Sequence, residues 1–220
     1  MGIIIDNIRL YQAEGRLPFA TKPWTSEPEM LYIGCIEAKL DPIKQIGIPL
    51  GGAVIYRIMA ALAGGLDEQG KPLYGNEAAV VQYAVNVKKV KDIVVSAHTH
   101  CGGLKACMDG CDKPETNYVH EYLKPLQHLW DKVMKLFKNP PERATALEEE
   151  TVRKSIENLM TYPFVREAMK GGMQIHGWVL DIDNGKISEM DPETKKFELM
   201  GEKYAHLRAR EHGPGTSPGR

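Results

Sequence analysis

The stretch Ile93-Val94-Val95-Ser96-Ala97-His98-Thr99-His100-Cys101-Gly102-Gly103 decides the fold. Its first half is uncharged and rich in β-branched residues, the pattern of a strand buried on both faces. Such strands belong to parallel sheets covered by helices. The second half turns polar and ends in paired glycines, where a strand gives way to a turn and a new helix. Open α/β sheets place their chemistry beyond the carboxyl ends of the strands. His98, His100 and Cys101 are therefore the first residues to weigh as functional.

Outward from there, Leu31-Tyr32-Ile33-Gly34 leads into Cys35 as an earlier buried strand, and Ala53 to Tyr56 reads as the second. Met173 to Leu180 is the fourth. Lys186 to Met190 is a fifth, joined through the turn Asp183-Asn184-Gly185 and expected antiparallel at an edge. Asp41-Pro42 starts a helix, with Asp41 as cap. Asn76 caps another, with Ala79, Val80, Tyr83, Ala84 and Val87 on one face. Thr116 to Phe137 is amphipathic, with a kink expected at Pro125, and Glu148 to Met169 is helical with a break near Pro163. The expected fold is α/β: a central, mostly parallel sheet of four strands plus the antiparallel edge strand, flanked by helices. An N-terminal helix with Ile4, Ile8 and Leu10 on one face begins an arm over residues 1–30. One domain spans 1–211 and a disordered tail 212–220.

The 220 residues carry a formal net charge of −1, which argues against a nucleic-acid binder, since that needs a basic footprint. No apolar run approaches the ~18 residues that cross a bilayer. The start lacks the basic region of a signal peptide, and Asp6 stands where a myristoylation motif wants Ser or Thr. A cytoplasmic, membrane-free protein is expected. In that compartment its four cysteines, at 35, 101, 107 and 111, serve as ligands or buried groups rather than disulfides.

If the strands ending at Cys35 and His98 are neighbours, Cys35, His98 and Cys101 converge at one edge. Two thiolates and an imidazole suit Zn2+, with a fourth position open for chemistry. Gly102 and Gly103 allow close backbone approach and a helix N-terminus that favours thiolate. Spacing alone leaves two other readings open. The cysteines are small buried hydrophobes beside a core histidine, or His98, His100, Cys101, Cys107 and Cys111 form a local cluster. Cys107 lies six residues past Cys101 on a helix and is expected to point elsewhere.

These residues resemble the β-class carbonic anhydrases. That family shows Cys-x-Asp-x-Arg after its first strand and His-x-x-Cys-Gly-Gly or -Gly-Ala after its third. Here the first reads Cys35-Ile36-Glu37-Ala38-Lys39 and the second His98-Thr99-His100-Cys101-Gly102-Gly103. Ala79 to Val85, Ile175-His176-Gly177-Trp178 and Asp183-Asn184-Gly185 extend the likeness, which runs from about residue 1 to 190. The resemblance implies a zinc lyase that hydrates CO2 to bicarbonate by zinc-hydroxide attack. It implies assembly as a homodimer or higher oligomer, with N-terminal helices packing on the partner. It also implies catalytic roles for Glu37 and Lys39, at the places of the family's Asp–Arg pair.

The departures are specific. Lysine lacks the planar fork with which arginine grips a carboxylate, and Glu37 is one methylene longer than aspartate. Changes of this kind lower affinity or activity ~10–100-fold. Ala53 to Ala61 aligns with the family's Phe-x-x-Arg-Asn-x-Ala-Asn. Arg57 is kept, Ile58 and Ala61 replace the asparagines, and Pro49 falls near a pocket glutamine. The implied substrate pocket comprises Val54, Arg57, Ile58, Met59, Tyr83 and Gly102. Bicarbonate needs donors; apolar analogues need fewer. Three readings follow: CO2 hydration at reduced rate, zinc-dependent hydrolysis of COS or CS2, and a zinc-stabilised paralogue that has lost catalysis and serves in assembly. His100 is either a proton shuttle or a solvent-facing loop residue, and His176 is structural.

Overall fold

Parallel strands cannot be joined by tight turns, so each crossover here carries a helix or a long loop. A computed structural model describes residues 27–206. The expected N-terminal helix and arm fall almost wholly outside that range, and the expected tail entirely so. Strand β1 (Met30–Cys35) pairs in parallel with β2 (Ala53–Ile58) on one side and β3 (Asp92–His98) on the other. Strand β4 (Gln174–Asp181) continues the parallel set beside β3. Strands β5 (Lys186–Met190) and β6 (Phe197–Leu199) then add antiparallel. The order is β2-β1-β3-β4-β5-β6. The expected five-stranded sheet is corrected by one: β6 is the edge and β5 lies inside it.

Helix α1 (Pro42–Ile46) starts as expected, with the Asp41 carboxylate accepting from the Lys44 amide at 3.2 Å. Helix α2 (Gly75–Gln82) begins one residue before Asn76, with Tyr74 at its cap position, and runs into a π-turn over Tyr83–Val87. The buried face differs from the expected one already before that turn, with Glu77 and Val81 buried and Ala79 exposed. Val81, Ala84 and Val85 are buried, whereas Tyr83 and Val87 are exposed. Helix α3 (Gly102–Asp109) follows β3 directly. Helix α4 (Asn117–Leu136) continues through Pro125. Helix α5 (Pro140–Leu159) starts eight residues before the expected Glu148, with prolines in its first turn, and α6 (Pro163–Lys170) follows the expected break. A short α7 (Met200–Lys203) closes the described chain.

Alternation along the strands divides the core. Leu31, Ile33, Ile93, Val95 and Ala97 pack with Val81 and Ala84, Val152 and Leu159 of α5, and Val165 of α6. Tyr32 and Val94 face the other way, with Ile48 and Trp178. A separate cluster at the carboxyl edge joins Cys35, Ala60, Cys101 and Leu104 to Leu123, Leu126 and Leu147. Among the described residues no helix is long and apolar enough to cross a membrane.

Candidate metal centre

Register brings the key residues together. Gly34 pairs with Ser96 across β1 and β3, so Cys35 and His98 end on one edge. The Cys35, His98 and Cys101 side chains are buried, and their ligand atoms lie within 4.8 Å of one another. The two Sγ atoms are 3.7 Å apart. Thiolates at ~2.3 Å from a tetrahedral zinc stand ~3.8 Å apart, so the spacing fits. His98 Nδ1 bonds the Thr99 carbonyl oxygen at 2.8 Å, which fixes the proton on Nδ1. Its Nε2 is then a lone pair. Among the described residues it is the buried side-chain nitrogen with no hydrogen-bond partner. An orphaned imidazole lone pair facing two thiols is what a soft or borderline cation repairs.

The thiols are electrostatically coupled. The hydrogen bond from Cys101 holds the Cys35 thiol well below its ordinary range, with His98 assisting. The same contact, with burial, pushes Cys101 up, against the Leu104 and Gly103 amides at the start of α3. Burial pulls His98 down, but its contact with Cys35 outweighs this and raises it. A divalent ion would balance both sulfurs.

Glu37 follows β1 in a loop. Its Oε1 accepts from the Lys39 backbone amide at 3.4 Å. No Glu37–Lys39 ion pair forms among the described residues. Glu37 Oε2 lies 3.9 Å from where a Cβ on Gly102 would stand, so that glycine leaves the carboxylate room beside the start of α3. Arg57 reaches back from β2. Its Nε donates to the Cys35 carbonyl at 2.9 Å and its Nη2 to the Glu37 carbonyl. Met59 packs with the cluster that holds Cys35 and Cys101. A Cβ on Gly103 would meet Met59 Cγ at 2.9 Å, so glycine is needed for this approach. Val54 and Ile58 pack into the main core. Tyr83 lies in the π-turn, 45% exposed, with the Lys88 ammonium over its ring.

His100 is exposed and pairs with Asp183 at 2.8 Å. Cys107 is buried away from the trio, its thiol donating to Gln127 at 3.6 Å, and burial pushes it up to about 11. His176 bridges Asp92 and Glu189 at 3.0 and 3.2 Å. Sequence reasoning gave no role to Glu77 or Glu148. Glu77 is fully buried and accepts from the Gly64 and Gly65 amides at 2.9–3.2 Å, which ties down the loop after Ala61. Glu148, on α5, is buried beside the ligand loop, and burial raises it to about 7. In sequence it opens Glu148-Glu149-Glu150, which reads as a solvated face. Only the helical phase that Pro140 sets would have turned it inward.

A family model described as carbonic anhydrase matches residues 30–187. Carbonic anhydrase 1 of Escherichia coli O157:H7 is 29% identical over 204 residues, covering 88% of this chain and 90% of that protein. A solved β-carbonic anhydrase, CcaA, superposes with a TM-score of 0.71 at 19% identity, over 89% of each chain. Tetrameric β-carbonic anhydrases of the ascomycete Sordaria macrospora give a TM-score of 0.66 at 27% identity, over 85% of this chain and 93% of that one.

Proposed function

The chain belongs to the β-class carbonic anhydrase family, and we propose that it catalyses the reversible hydration of CO2 to bicarbonate at a zinc ion held by Cys35, His98 and Cys101. The observation that carries this reading is the His98 Nε2, without a hydrogen-bond partner among the described residues, buried against two thiols 3.7 Å apart. Zinc in such a site is a Lewis acid that supplies a nucleophile from water near neutral pH, for attack on the carbon of CO2.

The chain's own residues then divide the work. Cys35 and Cys101 hold the cation by charge, and the Thr99 carbonyl fixes the His98 tautomer. Glu37 Oε2 lies beside the start of α3, where it would accept a hydrogen bond from the attacking group and orient it. Its carboxylate is not gripped by Lys39, so that orientation is loose and turnover is slow for the family. Arg57 compensates in part by pinning the backbone on both sides of Ile36. The protein works as a homodimer or a higher assembly of identical chains.

Met59, packed against the cluster that contains Cys35 and Cys101, favours a second reading. An apolar wall there suits COS or CS2, which need fewer hydrogen-bond donors than bicarbonate. Stopped-flow assays of the zinc-loaded protein separate the two. CO2 hydration supports the first reading, and COS or CS2 turnover without it supports the second. The Glu37→Asp/Lys39→Arg double variant should raise CO2 hydration ~10-fold or more, by restoring the grip on the carboxylate. An unchanged rate sinks the assignment of slow turnover to that pair.

A further inference from the structure

We infer that Glu148 is a positioning residue for the metal-ligand loop: from α5 its carboxylate accepts the backbone N–H of His100 and holds the turn that places His98 and Cys101 together. The inference rests on the zinc reading above and adds a residue that does not touch the ion.

The loop needs such a holder. His100 sits between two ligands with φ 58°, in the left-handed region that a residue with a Cβ occupies only at a cost. Other groups of the loop are already engaged. The Thr99 amide donates to the Leu180 carbonyl at 2.9 Å, and the Cys101 carbonyl accepts from the Lys105 amide at 2.9 Å. The Thr99 hydroxyl accepts from the Ile182 amide at 3.1 Å. The His100 amide acts on the Glu148 carboxylate, drawing its pKa down against the burial that raises it, and the two residues line one cleft.

Glu148 is also placed unlike its neighbours. Glu149 and Glu150 turn to Arg153 at 2.8 and 3.0 Å, as surface carboxylates on a helix do. Glu148 is 5% exposed, between Leu147 in the carboxyl-edge cluster and the ligand loop. It lines the cleft of about 440 Å³ between α3 and α5, with Thr99, His100 and Cys101. A carboxylate buried this far is retained against a desolvation penalty, and its amide partner lies in the turn between the ligands.

The test compares the parent chain with Glu148→Gln, Glu148→Leu and Glu148→Ala. Glutamine keeps a carbonyl acceptor for the His100 amide; leucine fills the space without one. Zinc release to a chelator is timed, and cobalt-substituted protein reports ligand geometry by its absorption bands. Glu148→Gln should release zinc within about twofold of the parent. Glu148→Leu and Glu148→Ala should release it ~10-fold faster or more, with altered cobalt bands. Hydrogen exchange at the His100 amide supplies a readout that needs no metal. Protection should persist in the glutamine variant and fall by about tenfold in the leucine variant. Parental zinc release and parental protection in Glu148→Leu overturn the inference, and so does a glutamine variant that behaves like alanine. A parent chain that binds no zinc overturns the zinc reading instead, while amide exchange still decides whether Glu148 holds the loop.

Discussion

Replacing Arg57 by lysine should loosen the metal centre without touching a ligand. Arg57 stands opposite Gly34 on the neighbouring strand, and one guanidinium donates to the carbonyls of Cys35 and Glu37. It thus carries the β1–β2 pairing past its last residues and fixes where Cys35 points. Lysine keeps the charge but presents one compact donor head in place of a fork. A charge-assisted hydrogen bond contributes ~1.5–3 kcal/mol. Arg57 is exposed, so screening by water puts each bond at or below the low end. Lysine recovers one of the two, which leaves a net loss of ~1–1.5 kcal/mol. Expressed at the site, that is about a tenfold weaker zinc affinity. A competition titration against a chromophoric chelator, at fixed pH and ionic strength, reads it. If Arg57→Lys binds zinc within about twofold of the parent and unfolds at the same denaturant concentration, the bridge does not position Cys35.

Two further outcomes follow from the packing and the charges. Burial alone would raise Glu189, but bonds from Lys203, Tyr204 and Trp178 hold it down to about 2. Its stabilisation is therefore complete above its ordinary value of 4.5 and is lost as pH falls towards 2. Glu189→Gln should cost on the order of 2 kcal/mol in denaturant titrations at pH 7, and the gap should close between about pH 4.5 and 2. A gap independent of pH contradicts the charge assignment. Gly103→Ala sets a methyl 2.9 Å from Met59 Cγ and 3.4 Å from the Ala60 amide. It should destabilise by ~1–3 kcal/mol through overpacking, and a melting temperature equal to the parent's would show that this contact gives way freely.

The sequence exposed the parts of this molecule that depend on local pattern. Ile93 to Ala97 marks β3 because an uncharged β-branched run has few alternatives, and Asp41-Pro42 marks a helix start because both residues suit those positions. The ligand trio was legible as a possibility, since strand ends in such sheets converge, and its compactness required the register of β1 against β3. Strand β6 escaped because three residues, Phe197–Leu199, carry too short a pattern to read. The face of α2 was misjudged because the buried stripe runs through the charged Glu77 to Val81 and Ala84, while the apolar Ala79 is exposed. Glu148 escaped because a run of glutamates gives no sign of which one the helix turns inward.

The zinc assignment stands most directly on CO2 hydration measured per mole of bound zinc, in the parent chain and in Cys35→Ala. It predicts one zinc per chain and measurable hydration in the parent, with both lost when Cys35 is removed. A fully zinc-loaded parent that leaves CO2 untouched, or a Cys35→Ala protein that keeps its metal and its rate, would contradict it.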